Sequence, residues 1–208
     1  MVLAAVALDE ATASRLVEAG IRDSKAFGSS VAGRQERAKL ASLVRRFALW
    51  SATEICEVEE IDAYVGGGRL NELERERARK LIHQAPPCLR IIADGRALFS
   101  PLASEHPQLE ARDRAESAHP AVAAASVCAK ALRDQLFEQI AERHRAEFGE
   151  LRGGGYVNPA TCAFVAAYVQ RHGCLPPEAR KSWPWRGIAR SAEPTAPLQM
   201  ALPSARVR

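Results

Sequence analysis

The stretch AESAHPAVAAASVCAKALRD, residues 115–134, decides how the chain is read. Glu116 stands alone ahead of a run crowded with alanine, and the run closes on Lys130, Arg133 and Asp134. His119 precedes Pro120, which predicts an extended residue and then a helix whose first position is the proline. Helical spacing carries on to about residue 147, with room for one break. Ala121, Ala124, Ala125 and Ala129 leave the helix backbone free to approach a sheet closely. Ser126, Lys130 and Asp134 recur every four residues and form one polar stripe. The stripe can equally be a solvated face held by a Lys130–Asp134 pair.

Upstream of the helix, strands and helices alternate. VLAAVAL (2–8) is a short apolar run that predicts a strand buried on both faces. A chain that opens in core-like sequence resembles a sheet whose first element is missing. Residues 10–19 suit a short helix, and Asp9-Glu10 read best as its acidic start. GIRDSKAFG (20–28) is a loop, followed by a helix at about 34–47 with Leu40, Leu43, Val44 and Phe47 at helical spacing. SATEICEVEEID (51–62) alternates enough for a strand, and 66–85 begin with glycines and continue as a charged amphipathic helix. CLRIIAD (88–94) predicts a third strand ending at Asp94-Gly95. Beyond the long helix, GELRGGGYVNP (149–159) is a glycine-rich loop, and Asn158-Pro159 caps a helix at 159–172. This order predicts an α/β domain over residues 1–186, one mixed sheet with flanking helices, and a loose basic tail at 187–208.

Composition narrows the classes. A hydrophobic content of 47% and a charged content of 26% are ordinary for a globular domain. No apolar run approaches the ~18 residues of a membrane span, and the first residues lack a signal-peptide pattern. Five scattered cysteines without a Cys-x-x-Cys pair argue against zinc or a disulfide framework and for a reducing, cytoplasmic setting. A net charge of +4 permits a polyanionic partner without demanding one. No nucleotide-binding glycine motif is present, and the histidines do not cluster.

Two acids carry the chemistry. Asp94 ends an apolar strand before a glycine, at the sheet edge where ligands gather in open α/β folds, although Asp-Gly is also an ordinary turn. Glu116 precedes a helix, where a carboxylate can simply favour the helix dipole. Taken together, two carboxylates from separate elements could share hard divalent cations, and paired ions about 3.5–4 Å apart drive in-line displacement at phosphorus. Lys25 in DSK and Tyr156 in GGGYVN offer a cation and an aromatic ring in loops, able to hold phosphate and stack on a sugar or base.

In order, these segments resemble the type 2 ribonuclease H family, ribonucleases HII and HIII, over about residues 2–185. GIRDSK matches the family's Gly-Val-x-Asp-Ser-Lys, EVEEID the segment before its central helix, and IIADG its strand with a metal-binding Asp. AESAHPAVAAASVCAKALRD matches its acid followed by Ala-Ala-Ser-x-x-Ala-Lys-x-x-Arg-Asp, and GGGY its late tyrosine loop. The resemblance implies a ribonuclease H-like mixed sheet flanked by helices. It implies an endonuclease that cuts the RNA strand of RNA–DNA hybrids, or DNA with embedded ribonucleotides, by two-metal-ion catalysis with Mg²⁺ or Mn²⁺. Asp94 and Glu116 would be the metal ligands and catalytic acids, with Ser24, Lys25, Lys130, Tyr156 and Lys181 on the substrate. A monomer is expected. Glu116 in Ala-Glu-Ser leans toward the HIII branch, and the Arg-Asp ending of the helix toward HII.

One departure stands out. The family opens on a strand carrying Asp-Glu and a Gly-Arg-Gly-type loop, whereas VLAAVAL matches its second strand, and Asp9-Glu10 fall after that strand. Little or no cleavage is therefore expected of these residues alone. The alternative is a non-catalytic nucleic-acid-binding relative of the same fold.

Overall fold

The computed structural model describes residues 1–22, 27–28 and 30–185. The tail at 187–208 and the loop residues Ser24 and Lys25 lie outside them. Among the described residues four strands and seven helices follow one another: β1 (Val2–Ala7), α1 (Glu10–Glu18), α2 (Val31–Phe47), β2 (Trp50–Ile55), α3 (Val58–Gly66), α4 (Leu70–Gln84), β3 (Ile91–Asp94), α5 (Arg96–Phe99), β4 (Leu109–Arg112), α6 (Pro120–Phe148) and α7 (Pro159–His172). No described helix is long and apolar enough to cross a membrane.

β1 is apolar on both faces, as its sequence requires. Ala4, Val6 and Leu8 pack against a core of Leu16, Leu40, Val44, Ala124 and Val127 from α1, α2 and α6. Met1 and Leu3 turn to the other side, toward Cys56, Ile61 and Leu73. The alanines of α6 explain its close approach: Ala123 and Ala124 are buried against that first core, beneath β1. α6 runs unbroken for 29 residues, so the break allowed by the sequence is not used.

Three expectations change. Residues 51–62 are not one strand: β2 stops at Ile55, and 58–62 start α3, where Glu59 and Glu60 occupy a first turn that favours acids. Their alternation is also compatible with a helix whose Ile61 alone is buried. The short strand β4 carries no clear period and was invisible in the sequence; it exists because it pairs in parallel with β3, Ile91 opposite Leu109 through Asp94 opposite Arg112. Finally, the four strands form two separate ladders among the described residues, β1 antiparallel to β2 and β3 parallel to β4, instead of one sheet. α6 packs against strands of both.

Candidate functional site

β3 delivers Asp94 to the edge of its ladder, where Gly95 turns the chain away with φ +119°. Parallel pairing returns the chain to that same edge after β4, and there Ala115–Ser117 form a 3₁₀ turn. Asp94 Oδ1 accepts a hydrogen bond from the Ala115 amide at 2.9 Å. That bond fastens the Asp94 carboxylate to the residue preceding Glu116. Glu116 is only 6% exposed, and its Oε2 accepts from the Ser126 hydroxyl of α6 at 3.0 Å. The Asp94 carboxylate is thus tied to the turn that carries Glu116, and the alanine-rich helix holds the Glu116 side chain.

Oxygen donors of this kind suit a hard divalent cation. Their number does not suit a pair of ions: no group of three or more His, Cys, Asp or Glu able to hold a metal occurs among the described residues. The neighbouring Asp113 is spent on the Arg96 amide, accepting at 2.8 Å.

Ser126 and Lys130 are one turn apart on α6, about 6 Å along the axis. Lys130 lines a groove of about 1300 Å³ with Arg34, Arg37, Arg133, Arg152 and Tyr156. Tyr156 is 57% exposed, and the Arg133 guanidinium lies 3.8 Å from its ring centroid. Arg133 also donates to the Gly154 carbonyl, fixing the loop from beneath. The loop needs its glycine. At Gly153, φ is +96° and a Cβ would fall 2.4 Å from Thr161 Oγ1. Asn158 closes the turn, donating to the Gly153 carbonyl at 2.8 Å while its Oδ1 caps α7 through the Thr161 amide.

Asp134, on the same stripe as Lys130, is held from α2. Asp134 accepts from Arg37 Nε at 2.8 Å and Nη2 at 2.6 Å, and Arg37 Nη1 donates to the Gly28 carbonyl at 2.6 Å. Arg37 is 5% exposed and ties the end of the loop that carries Lys25 to α6. Sequence reasoning passed over it, although an arginine on the apolar stripe Gly33, Arg37, Leu40, Ala41, Val44 was a readable signal. Arg133 was passed over likewise. Lys181 lies away from the groove: its backbone amide donates to Asp62 Oδ2 of α3 at 2.7 Å, and its side chain is exposed. The cysteines are free, and burial pushes the Cys56 and Cys128 thiols up, away from thiolate chemistry.

Fold and site together define an α/β domain with an acidic pair at one strand end and a groove of mixed charge with an exposed tyrosine a helical turn away. Comparison with known proteins names the class. The family model of ribonuclease HII matches residues 1–184. Ribonuclease HII of Thermococcus kodakarensis is 31% identical over 194 residues, covering 88% of this chain and 79% of that protein. The Pyrococcus furiosus ribonuclease HII is 28% identical over 193 residues, covering 88% and 81%. Among solved structures, ribonuclease H2 from Pyrococcus horikoshii superposes with a TM-score of 0.72 at 22% identity, covering 92% of this chain and 97% of that one. A Bst-RNase HIII determined in complex with Mn²⁺ gives 0.62 at 20% identity, covering 83% and 57%. The chain belongs to the ribonuclease HII family.

Proposed function

We propose that this chain acts on RNA–DNA hybrids, or on DNA with embedded ribonucleotides, as an endonuclease directed at the RNA strand. Asp94 and Glu116 are its metal-holding acids, with Mg²⁺ or Mn²⁺ as the ion, and the setting is cytoplasmic. One observation carries the reading: the Asp94 carboxylate bonds to the amide next to Glu116, and the Ser126 that holds Glu116 is one turn from Lys130 in the groove. The groove brings the Lys130 ammonium and the Arg133 guanidinium, for a phosphate, beside the exposed Tyr156 ring, for a sugar or base. Ser24, Lys25, Lys130 and Tyr156 are the proposed substrate contacts, with Lys181 as an outlying one.

Two carboxylates are fewer oxygen ligands than two divalent ions take. The described residues therefore support binding better than turnover. The test is a cleavage assay on a hybrid duplex and on DNA carrying one ribonucleotide, with Asp94→Asn and Glu116→Gln beside the unaltered chain. Both substitutions keep one acceptor oxygen, turn the other into an NH2 donor and remove the charge. Weak, metal-dependent cleavage that both variants abolish is expected. Binding of the hybrid with no cleavage in any metal supports the alternative, a non-catalytic nucleic-acid-binding relative of the same fold. Efficient cleavage that survives both substitutions overturns the assignment of the acids.

A further inference from the structure

Among the described residues, every position with a positive φ is a glycine except one: Arg114, at φ 58° and ψ 34°. For an L-residue this left-handed conformation carries a steric cost that glycine does not bear. The turn requires the conformation. The peptide group that follows Arg114 is engaged at both ends. Its carbonyl accepts the Ser117 hydroxyl at 2.8 Å and the Ser117 amide at 3.2 Å, and its N–H, that of Ala115, donates to Asp94. Backbone geometry thus explains a left-handed residue here and does not explain an arginine. A left-handed residue kept where glycine would serve is held for its side chain.

Register supplies the second observation. Parallel pairing sets Asp94 opposite Arg112, and three bonds carry the two chains on together. The Gly95 amide donates to the Arg112 carbonyl at 2.8 Å, the Arg96 amide to Asp113 Oδ1 at 2.8 Å, and the Ala115 amide to Asp94 Oδ1 at 2.9 Å. Arg96 and Arg114 each stand two residues beyond the paired position, one on each chain, beside the strand end that carries Asp94. Both are exposed and neither has an ion pair among the described residues, whereas Arg112 is taken by Glu110. Neither lines the groove of Lys130 and Tyr156. Two carboxylates repel an approaching phosphate. Two guanidinium groups at their rim offset that repulsion, and their planar forks match phosphate oxygens.

We propose that Arg96 and Arg114 form a phosphate clamp at the rim of the Asp94–Glu116 site, gripping the sugar–phosphate backbone of a nucleic acid. Contacts at the clamp and in the groove would fix the strand at two points and so set its direction across the acids. The proposal rests on the nucleic-acid-binding part of the reading above and not on cleavage.

The test is filter binding of a DNA duplex and of an RNA–DNA hybrid of the same sequence, over a salt series in EDTA so that neither is cut. Arg114→Gly and Arg96→Gln should each flatten the log–log salt slope by about one unit on both duplexes, and the double variant by about two. Arg114→Lys, which keeps the charge, should retain the slope of the unaltered chain. Urea titration separates a phosphate contact from a structural role. Arg114→Gly, relieved of the left-handed cost, should unfold at higher urea than the unaltered chain while binding more weakly. An unchanged slope for Arg114→Gly, or a lower urea midpoint, overturns the proposal. So does a failure of the unaltered chain to bind either duplex. Loss of hybrid preference or of metal-dependent cleavage, by contrast, sinks the nuclease assignment alone and leaves the clamp's slopes as they are.

Discussion

At the scale of single residues, the Arg37–Asp134 pair links α2 to α6. Their side chains are 6% and 18% exposed and two guanidinium N–H groups converge on one carboxylate oxygen, so the Arg37 charge has little access to water when Asp134 is lost. Asp134→Ala strands a buried guanidinium, and a loss of about 3–5 kcal/mol in unfolding free energy is expected from urea titration. Replacing both partners at once, Arg37→Met with Asp134→Leu, should recover most of it, because two apolar groups of similar size leave no unpaired charge. A double variant as unstable as the single one would mean that the Gly28 carbonyl, not the ion pair, is what Arg37 serves.

Among elements, the docking of residues 180–185 on α3 depends on pH through Asp62. Burial works against the Asp62 charge. The Ser182 hydroxyl and the Ser182 and Lys181 amides outweigh it and hold the carboxyl below its ordinary range. A carboxyl depressed on folding stabilises the folded chain above its unfolded pKa of about 3.9, and that contribution vanishes as pH falls through the lower folded value. The melting temperature of Asp62→Asn should therefore lie below that of the unaltered chain at pH 6. The difference should shrink steadily below pH 4 and disappear in stronger acid. A pH-independent difference would show that packing of Trp183 and Trp185, rather than the charge, holds the segment.

For the whole molecule, the groove sets six Lys and Arg side chains against Asp134, Glu138, Glu142 and Glu150, so its pull on a phosphate rests on individual contacts and not on a large uniform field. Each cation that neutralises a phosphate releases counterions and steepens the fall of affinity with salt by roughly 0.7–0.9 in log–log slope. Lys130→Ala should flatten that slope by about one unit on any hybrid sequence. Tyr156→Ala should leave the slope alone and lower affinity, since its ring stacks rather than pairs. Filter binding of a labelled hybrid between 50 and 300 mM salt, on the order of the usual working range, separates the two. Equal slopes for Lys130→Ala and the unaltered chain would remove Lys130 from the contact surface.

Short-range chemistry was legible in the chain itself. Apolar runs, helical spacing, the Asp9 and Asn158 caps and the proline at the head of α6 are all local, and each produced the element it announced. Asp94 and Glu116 stood out because each ends or precedes an element. The rest depended on residues far apart in sequence. β4 has no pattern of its own and is a strand only because β3 lies beside it. Arg37 becomes a buried anchor only because Asp134, 97 residues away, meets it. The meeting of Asp94 with Glu116 required a parallel pairing that returns the chain to the edge it left, and the division into two ladders required the strands to be placed in space. Hydrogen bonds between distant backbones and the desolvation of paired charges leave no periodic trace in a sequence, so only the tertiary structure could decide them.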